Sequence, residues 1–298
     1  MNKKNILKTK IEKGEFIVTA EYLPKSGTSI SILETLKNCG AQIINVSDNP
    51  DGPVMSSLAA SVLLHNSGVE PVFQIVTRDR NRIALQADIL GAASLGIRNI
   101  LCLSGYHQSL TGMPESSNVY DIDSIQLIDT ISHMNNEGVL MDGSKIEGDF
   151  SMLVGAVANP YLRPLELNIL RTAKKTEAGA KFIQTQAVFD TVLFQEWLDA
   201  ADKEGLTKRT AIIAGVYPLS GYDEAVELCE KHTDFYISEE LMTRLKDAGD
   251  EEAQKNMGMT ICTEIIKKIK GMKGLKGIHI ISGGKENTIS DLISAASL

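Results

Sequence analysis

Thr77-Arg78-Asp79-Arg80-Asn81 leads into Leu85-Gln86-Ala87-Asp88 and then to Leu103-Ser104-Gly105. The stretch reads as the end of one buried strand, a helix, and a second buried strand closed by a small-residue turn. Strand bodies here are apolar, and polar residues gather where the strands finish. In a parallel α/β barrel the ligand meets the carboxyl ends of the strands, so this gradient points to that fold and to where its chemistry belongs.

The same alternation extends in both directions. Short β-branched runs at 16–21, 43–46, 69–76, 99–103, 152–157, 181–184, 211–216 and 277–281 read as strands. Between them, amphipathic stretches at 30–39, 55–66, 81–95, 123–135, 165–178, 192–203, 223–231, 239–247, 253–270 and 287–296 read as helices. Ser29 is placed to cap the first of these and Gly40 to stop it. Eight strands, each followed by helix, predict a closed (β/α)8 TIM barrel in a single domain over 1–298. An open doubly wound sheet alternates in the same way and is the second reading. No Gly-x-Gly-x-x-Gly follows the first strand, which disfavours a dinucleotide-binding version of it. One connection, about 106–150, breaks the rhythm. It opens with a Ser-, Gly- and Pro-rich loop and closes with 137–149, where Asp142-Gly143 suits a small hairpin.

Composition narrows the class. The chain has 298 residues, 43% hydrophobic, and a mean hydropathy of -0.04. It holds no apolar run near the ~20 residues that span a bilayer, so no membrane insertion is expected. Its basic start, Met1-Asn2-Lys3-Lys4-Asn5, lacks the apolar core of a secretion signal, and a cytoplasmic location is expected. A net charge of -8 without a basic cluster argues against nucleic acid as the partner. Cys39, Cys102, Cys229 and Cys262 form no Cys-x-x-Cys pair, and His65, His107, His133, His232 and His279 lack ligand spacing, so no metal site is expected.

Residues at the predicted strand ends are Glu21, Ser47-Asp48-Asn49, Thr77-Arg78-Asp79, Ser104-Gly105-Tyr106, Asn159-Pro160, Gln184-Thr185-Gln186, Tyr217-Pro218 and Ser282-Gly283-Gly284. They are mostly neutral hydrogen-bonding groups around one prominent carboxylate. Paired catalytic carboxylates, a Ser-His-Asp set and a Cys-His set are all missing. A large heterocyclic ligand suits such a rim better than hydrolysis does.

Ala20-Glu21-Tyr22-Leu23-Pro24-Lys25, Thr77-Arg78-Asp79-Arg80-Asn81, Leu103-Ser104-Gly105, Tyr120-Asp121-Ile122-Asp123-Ser124 and 178–186 occur in an order that resembles the methylenetetrahydrofolate reductase family. The resemblance runs from about Glu15 to Lys285 and is nearest to the catalytic-barrel versions of anaerobic, acetogen-like bacteria. It implies a flavoprotein, with FAD or alternatively FMN. Such an enzyme reduces 5,10-methylenetetrahydrofolate to 5-methyltetrahydrofolate in one-carbon metabolism, feeding methionine biosynthesis or acetogenesis. NADH, or a reduced partner subunit with zinc or iron–sulfur centres, would be the electron donor, within a homo- or hetero-oligomer.

By that resemblance Glu21 is the catalytic general acid toward folate N10, and burial beside a flavin would raise its pKa as that task requires. Gln186, Tyr106 and Lys285 fall at substrate-binding positions. Ser47, Gln74, Ser104, Gly105, Tyr106, Tyr120, Asp121, Asn159 and Lys175 fall at cofactor-binding positions, with Gly105 expected to let backbone approach the ring. Tyr106 stands where most of the family carries aspartate, and offers a hydroxyl in place of a charge. Two other functions fit the residues less well. One is a non-catalytic flavin- or folate-binding subunit of an electron-transfer complex. The other is a pterin-dependent methyltransferase barrel.

Overall fold

A computed structural model describes residues 5–231 and 235–298. The basic residues 1–4 and His232, both part of the sequence reading, lie outside the described residues. Strands β1 (Ile17–Tyr22), β2 (Ile43–Val46), β3 (Glu70–Val76), β4 (Asn99–Leu103), β5 (Leu153–Ala158), β6 (Phe182–Ala187), β7 (Ala211–Val216) and β8 (Leu275–Ile280) pair in order. All pairs are parallel, and β8 returns to β1, so the sheet closes into a barrel. The expected (β/α)8 fold is present.

Helices α1 (Ile6–Lys13), α2 (Leu33–Asn38), α3 (Ser57–Asn66), α4 (Arg82–Ser94), α5 (Ser124–Glu137) and α6 (Leu165–Ala178) belong to the first half. The second half carries α7 (Thr191–Lys203), α8 (Leu206–Arg209), α9 (Tyr222–Lys231), α10 (Glu239–Asp247), α11 (Glu251–Ile269) and α12 (Ile289–Ala296). Several helices begin at side-chain caps. Asn81 accepts from the amides of Ile83 and Ala84 to start α4, and Asp123 with Gln126 forms a capping box on α5. Ser29 does not cap α2. Ile30 turns into the core, Leu33 closes a turn onto its carbonyl, and the helix begins later without a side-chain cap. The segment after α5 makes the expected small hairpin, with a Val139–Lys145 bridge around Asp142-Gly143.

Two short helices, α1 and α8, have no counterpart in the sequence reading. Helix α1 stoppers the amino end of the barrel. Its first amides, on Ile6 and Leu7, donate to the Glu70 carboxylate at the start of β3, and Asn5 caps the turn. Leu7 is fully buried against Ile17, Ile43, Val72, Leu101, Phe182, Ala211 and Ile213, the lowest inward-facing residues of the strands. Gly155 leaves room for the Phe182 ring there, since a Cβ on it would lie 2.2 Å from the ring. A larger apolar shell, including Phe73, Ile75, Ile100, Ile183, Ile212, Val216, Ile278 and Ile280, faces the helices. With one end packed shut, an open mouth is left at the carboxyl ends.

Candidate active site

Side chains on a strand alternate in direction, so residues two apart stack within the barrel. Above the apolar floor comes a buried polar layer: Thr19 on β1, Asn45 on β2, Gln184 on β6 and His279 on β8. The next inward positions are Glu21, Ser47, Gln186 and Ile281, at the rim. All of these except Thr19 and Asn45 line a cavity of about 440 Å³ over the carboxyl ends of the strands. Its apolar walls include Leu101, Leu103, Val157, Leu228 and Phe235.

Glu21 is held from two directions. The Ser47 hydroxyl donates to its Oε1 at 2.9 Å, while the backbone amides of Ser282 and Gly283, just past β8, donate to Oε2 at 3.1 and 3.3 Å. Burial pushes its pKa above the usual carboxylate range, against the pull of those donors, and the carboxylate of Glu286 adds to the rise. The outcome is a carboxyl fixed in orientation and biased toward keeping its proton.

Opposite it, Gln186 Nε2 donates to the Tyr106 hydroxyl at 3.1 Å, so two rim residues singled out from sequence meet across the mouth. A register shift between β6 and β7 inserts one extra residue between Gln184 and Ala187, which re-aims the chain at Gln186. The Tyr106 loop is anchored by charges from the Thr77–Asn81 motif. Arg78 chelates Asp79 and donates to the carbonyls of Asn49 and Tyr106; Arg80 chelates Asp48 and also meets Asp88. Asp48 further accepts from the Val76 amide and the Ser57 hydroxyl. The loop itself returns Val119 N–H to the Arg78 carbonyl and Gly112 N–H to Asp51.

Of the candidate cofactor residues, Ser47, Gln74, Ser104, Gly105, Tyr106, Asn159 and Lys175 all line the cavity. Gly105 has φ +82°, and a Cβ there would lie 3.1 Å from Arg78 Cβ and 3.3 Å from Val76 Cβ. Packing of the turn against β3 therefore requires glycine, whatever binds above it. Lys175 reaches inward from α6 to the Val157 carbonyl at 2.7 Å, and burial, helped by neighbouring Arg171, brings its ammonium pKa down to about 8. With Arg171, Asn168, Thr172, Ser104 and Ser124 it makes a polar, cationic arm of the cavity.

Three candidates sit elsewhere. The Asp121 carboxylate is taken up by the Arg82 backbone amide and guanidinium, which hold it down at about 2. Tyr120 is outside the lining and reaches the Gly105 carbonyl with its hydroxyl at 3.2 Å. Lys285 is bound by both Glu224 oxygens, the Pro218 carbonyl and the Ser220 hydroxyl, and lies over the Tyr217 ring. None of these three lines the cavity. Conversely, the sequence reading noted Asp48, Arg78 and Gln184 only as strand-end residues, and passed over His279, Asn168, Arg171 and Thr172. A polar residue two positions below a rim residue on the same strand was the available signal for His279. For the α6 residues there was none.

A family model described as Methylenetetrahydrofolate reductase matches residues 6–297. The chain belongs to the methylenetetrahydrofolate reductase family. It is 22% identical to a probable methylenetetrahydrofolate reductase (NADPH) of Caenorhabditis elegans over 255 residues, 84% of this chain and 36% of that protein. Against 5,10-methylenetetrahydrofolate reductase of Salmonella typhimurium it is 24% identical over 204 residues, 67% of this chain and 62% of that one. This family member thus spans only part of either relative's length. A protein from Clostridium thermocellum, described as binding two copies of 5-methyl-5,6,7,8-tetrahydrofolic acid, has the same fold. That likeness has a TM-score of 0.67 at 13% identity, over 98% of this chain and 99% of the other. Among the described residues no helix is long and apolar enough to cross a membrane, and no group of three or more His, Cys, Asp or Glu gathers to hold a metal ion.

Proposed function

We propose that the chain reduces 5,10-methylenetetrahydrofolate to 5-methyltetrahydrofolate with a bound flavin, as part of one-carbon metabolism. The observation that carries the reading is Glu21: a half-buried carboxyl, oriented by three donors, facing a heterocycle-sized cavity in a chain of this family.

The residues fit a flavin. Leu101, Leu103 and Val157 supply an apolar wall for a flat ring system, Gln74 and Asn159 supply edge donors and acceptors, and Lys175 with Arg171 suits a phosphate tail. When bound and reduced, a flavin supplies the two electrons and one proton that the folate methylene carbon takes up. The protein's part is to deliver a second proton. Glu21 protonates folate N10, the bond from N10 to the methylene carbon breaks, and its electron pair stays on N10. Ser47 and the Ser282 and Gly283 amides keep the carboxyl aimed and stabilise the carboxylate left behind. The Gln186–Tyr106 pair hydrogen-bonds the pterin edge and fixes that alignment. Tyr106, neutral where most of the family is anionic, would place no negative charge beside a bound flavin and would thereby favour its reduction.

FAD is the proposed cofactor, with FMN the alternative, and NADH or a reduced partner subunit with zinc or iron–sulfur centres is the donor. Tyr120, Asp121 and Lys285 contribute by shaping loops around the mouth. The absorption spectrum of the purified chain tests the reading first, with mass identification of what denaturation releases. Stopped-flow reduction by NADH then separates the donors. A colourless protein that takes up neither FAD nor FMN overturns the flavin assignment, and flavoprotein without folate turnover overturns the reaction.

A further inference from the structure

The polar layer beneath Glu21 has one open end. Gln184 and Asn45 pair amide to amide, Asn45 Nδ2 donating to Gln184 Oε1 at 2.7 Å and Gln184 Nε2 donating to Asn45 Oδ1 at 3.2 Å. The second hydrogen of Gln184 Nε2 goes to Thr19 Oγ1, also at 3.2 Å. Thr19 is fully buried, and the only other neighbour of its hydroxyl among the described residues is His279 Nδ1 at 2.8 Å. The Thr19 hydrogen therefore goes to Nδ1, because its other contact is itself a donor. With Nδ1 an acceptor, the imidazole proton resides on Nε2. His279 lines the cavity, and Nε2 is the ring nitrogen that the network leaves for it. Burial holds the ring neutral, with its pKa brought down to about 3, and Glu21 lies two residues beyond Thr19, the register partner of His279 on the neighbouring strand.

We infer that His279 Nε2–H is a positioning donor at the cavity floor, taking an acceptor nitrogen or carbonyl oxygen of the planar heterocycle bound beneath Glu21. The inference rests on the reading that flavin and folate occupy this cavity. A histidine kept only for packing would have both nitrogens engaged by protein. Here two amides and a hydroxyl on three strands set the proton on Nε2, the ring nitrogen with no protein partner among the described residues, in a residue that lines the cavity. A bound ring is thereby held at a fixed height under the acid, which aligns N10 without His279 taking part in proton transfer.

The test is nitrogen NMR on protein with labelled histidine, titrated with FAD or FMN and then with 5-methyltetrahydrofolate, binding being followed in parallel by flavin absorbance and calorimetry. The expected spectrum shows the Nε2–H tautomer, unprotonated at mildly acid pH, with the Nε2 signal moving at saturation by one of the two ligand classes; which class identifies the heterocycle. His279→Phe should weaken that ligand about fivefold to tenfold, the worth of one neutral hydrogen bond, while His279→Gln, which keeps a donor, should recover most of it. The Nδ1–H tautomer, which requires both amides reversed, overturns the proposal, as does an Nε2 signal unmoved when both ligands are saturated. Absence of binding by either ligand to the wild-type chain overturns the functional reading as well, and is distinguishable because the calorimetry is then flat.

Discussion

At the scale of single residues, two opposing influences meet on Glu21. Removal from water favours its neutral form, and three hydrogen-bond donors favour the anion; burial is the larger. Glu21→Gln keeps the shape and one of the two acceptor oxygens, the one the Ser282 and Gly283 amides need, but has no acidic proton to give. Flavin binding and flavin reduction should persist while folate turnover falls on the order of a hundredfold or more, measured with saturating donor. Stability moves in the other direction. Between the free value of 4.5 and the raised folded value, the native chain holds a proton that the unfolded chain releases. Stability present below that window is lost as pH rises through it. The variant should therefore melt higher than wild type at about pH 8 and no higher near pH 4, in parallel thermal scans. Tyr106→Phe is the complementary probe: loss of the hydroxyl removes its hydrogen bond with Gln186. Steady-state kinetics should show a folate KM about fivefold to tenfold higher with kcat little changed, consistent with one neutral hydrogen bond that orients the pterin.

At the scale of elements, the Thr77–Asn81 motif behaves as a fastener. Its two arginines and Asp79 bind the turns after β2, β3 and β4 to one another, so the rim is preorganised before any ligand arrives. Asp48 is the hub, with a completely buried side chain serving an arginine, a hydroxyl and a backbone amide. Asp48→Ala leaves Arg80 without that carboxylate, and the expected cost is about 3–5 kcal/mol in denaturant unfolding. The motif was conspicuous in sequence because charged residues cluster at a strand end. Its function as a fastener was not legible, since Asp48 lies 32 residues from Arg80 and no local pattern links them. Helix starts were easier to read: helices were expected to begin at Asn81 and Asp123, which cap them within three residues of themselves, although the sequence reading names neither as a cap. Ile30 shows the limit of local signals, because tertiary burial of one side chain moved the start of α2 past its apparent cap.

On the scale of the whole molecule, the barrel divides into a sealed end and a working end. Helix α1 seals the amino end through Leu7, and of the buried residues Leu7 packs against only Leu101 also lines the cavity, so stability and ligand binding are largely separable. Leu7→Ala should cost about 2.7–5 kcal/mol of folding free energy by leaving a cavity among Ile17, Ile43, Val72 and Phe182. Ligand affinity measured well below the melting temperature should be unchanged. An affinity loss matching the stability loss would show that the two ends communicate.

The chain's periodicities settled an alternating α/β class with polar strand ends, where Glu21 and Gln186 were legible, but an open sheet alternates in the same way, and the pairing of β8 with β1 decided for the closed barrel. Contacts made by folding decided the rest. Only the closed sheet shows that Thr19, Asn45, Gln184 and His279 share a layer, that Arg82 occupies Asp121 across 39 residues, and that Glu224 occupies Lys285 across 61. Hydrophobic pattern is a property of neighbouring residues and is written along the chain. The pairing of charges and the filling of one polar layer by several strands depend on distances that exist only after the barrel has closed.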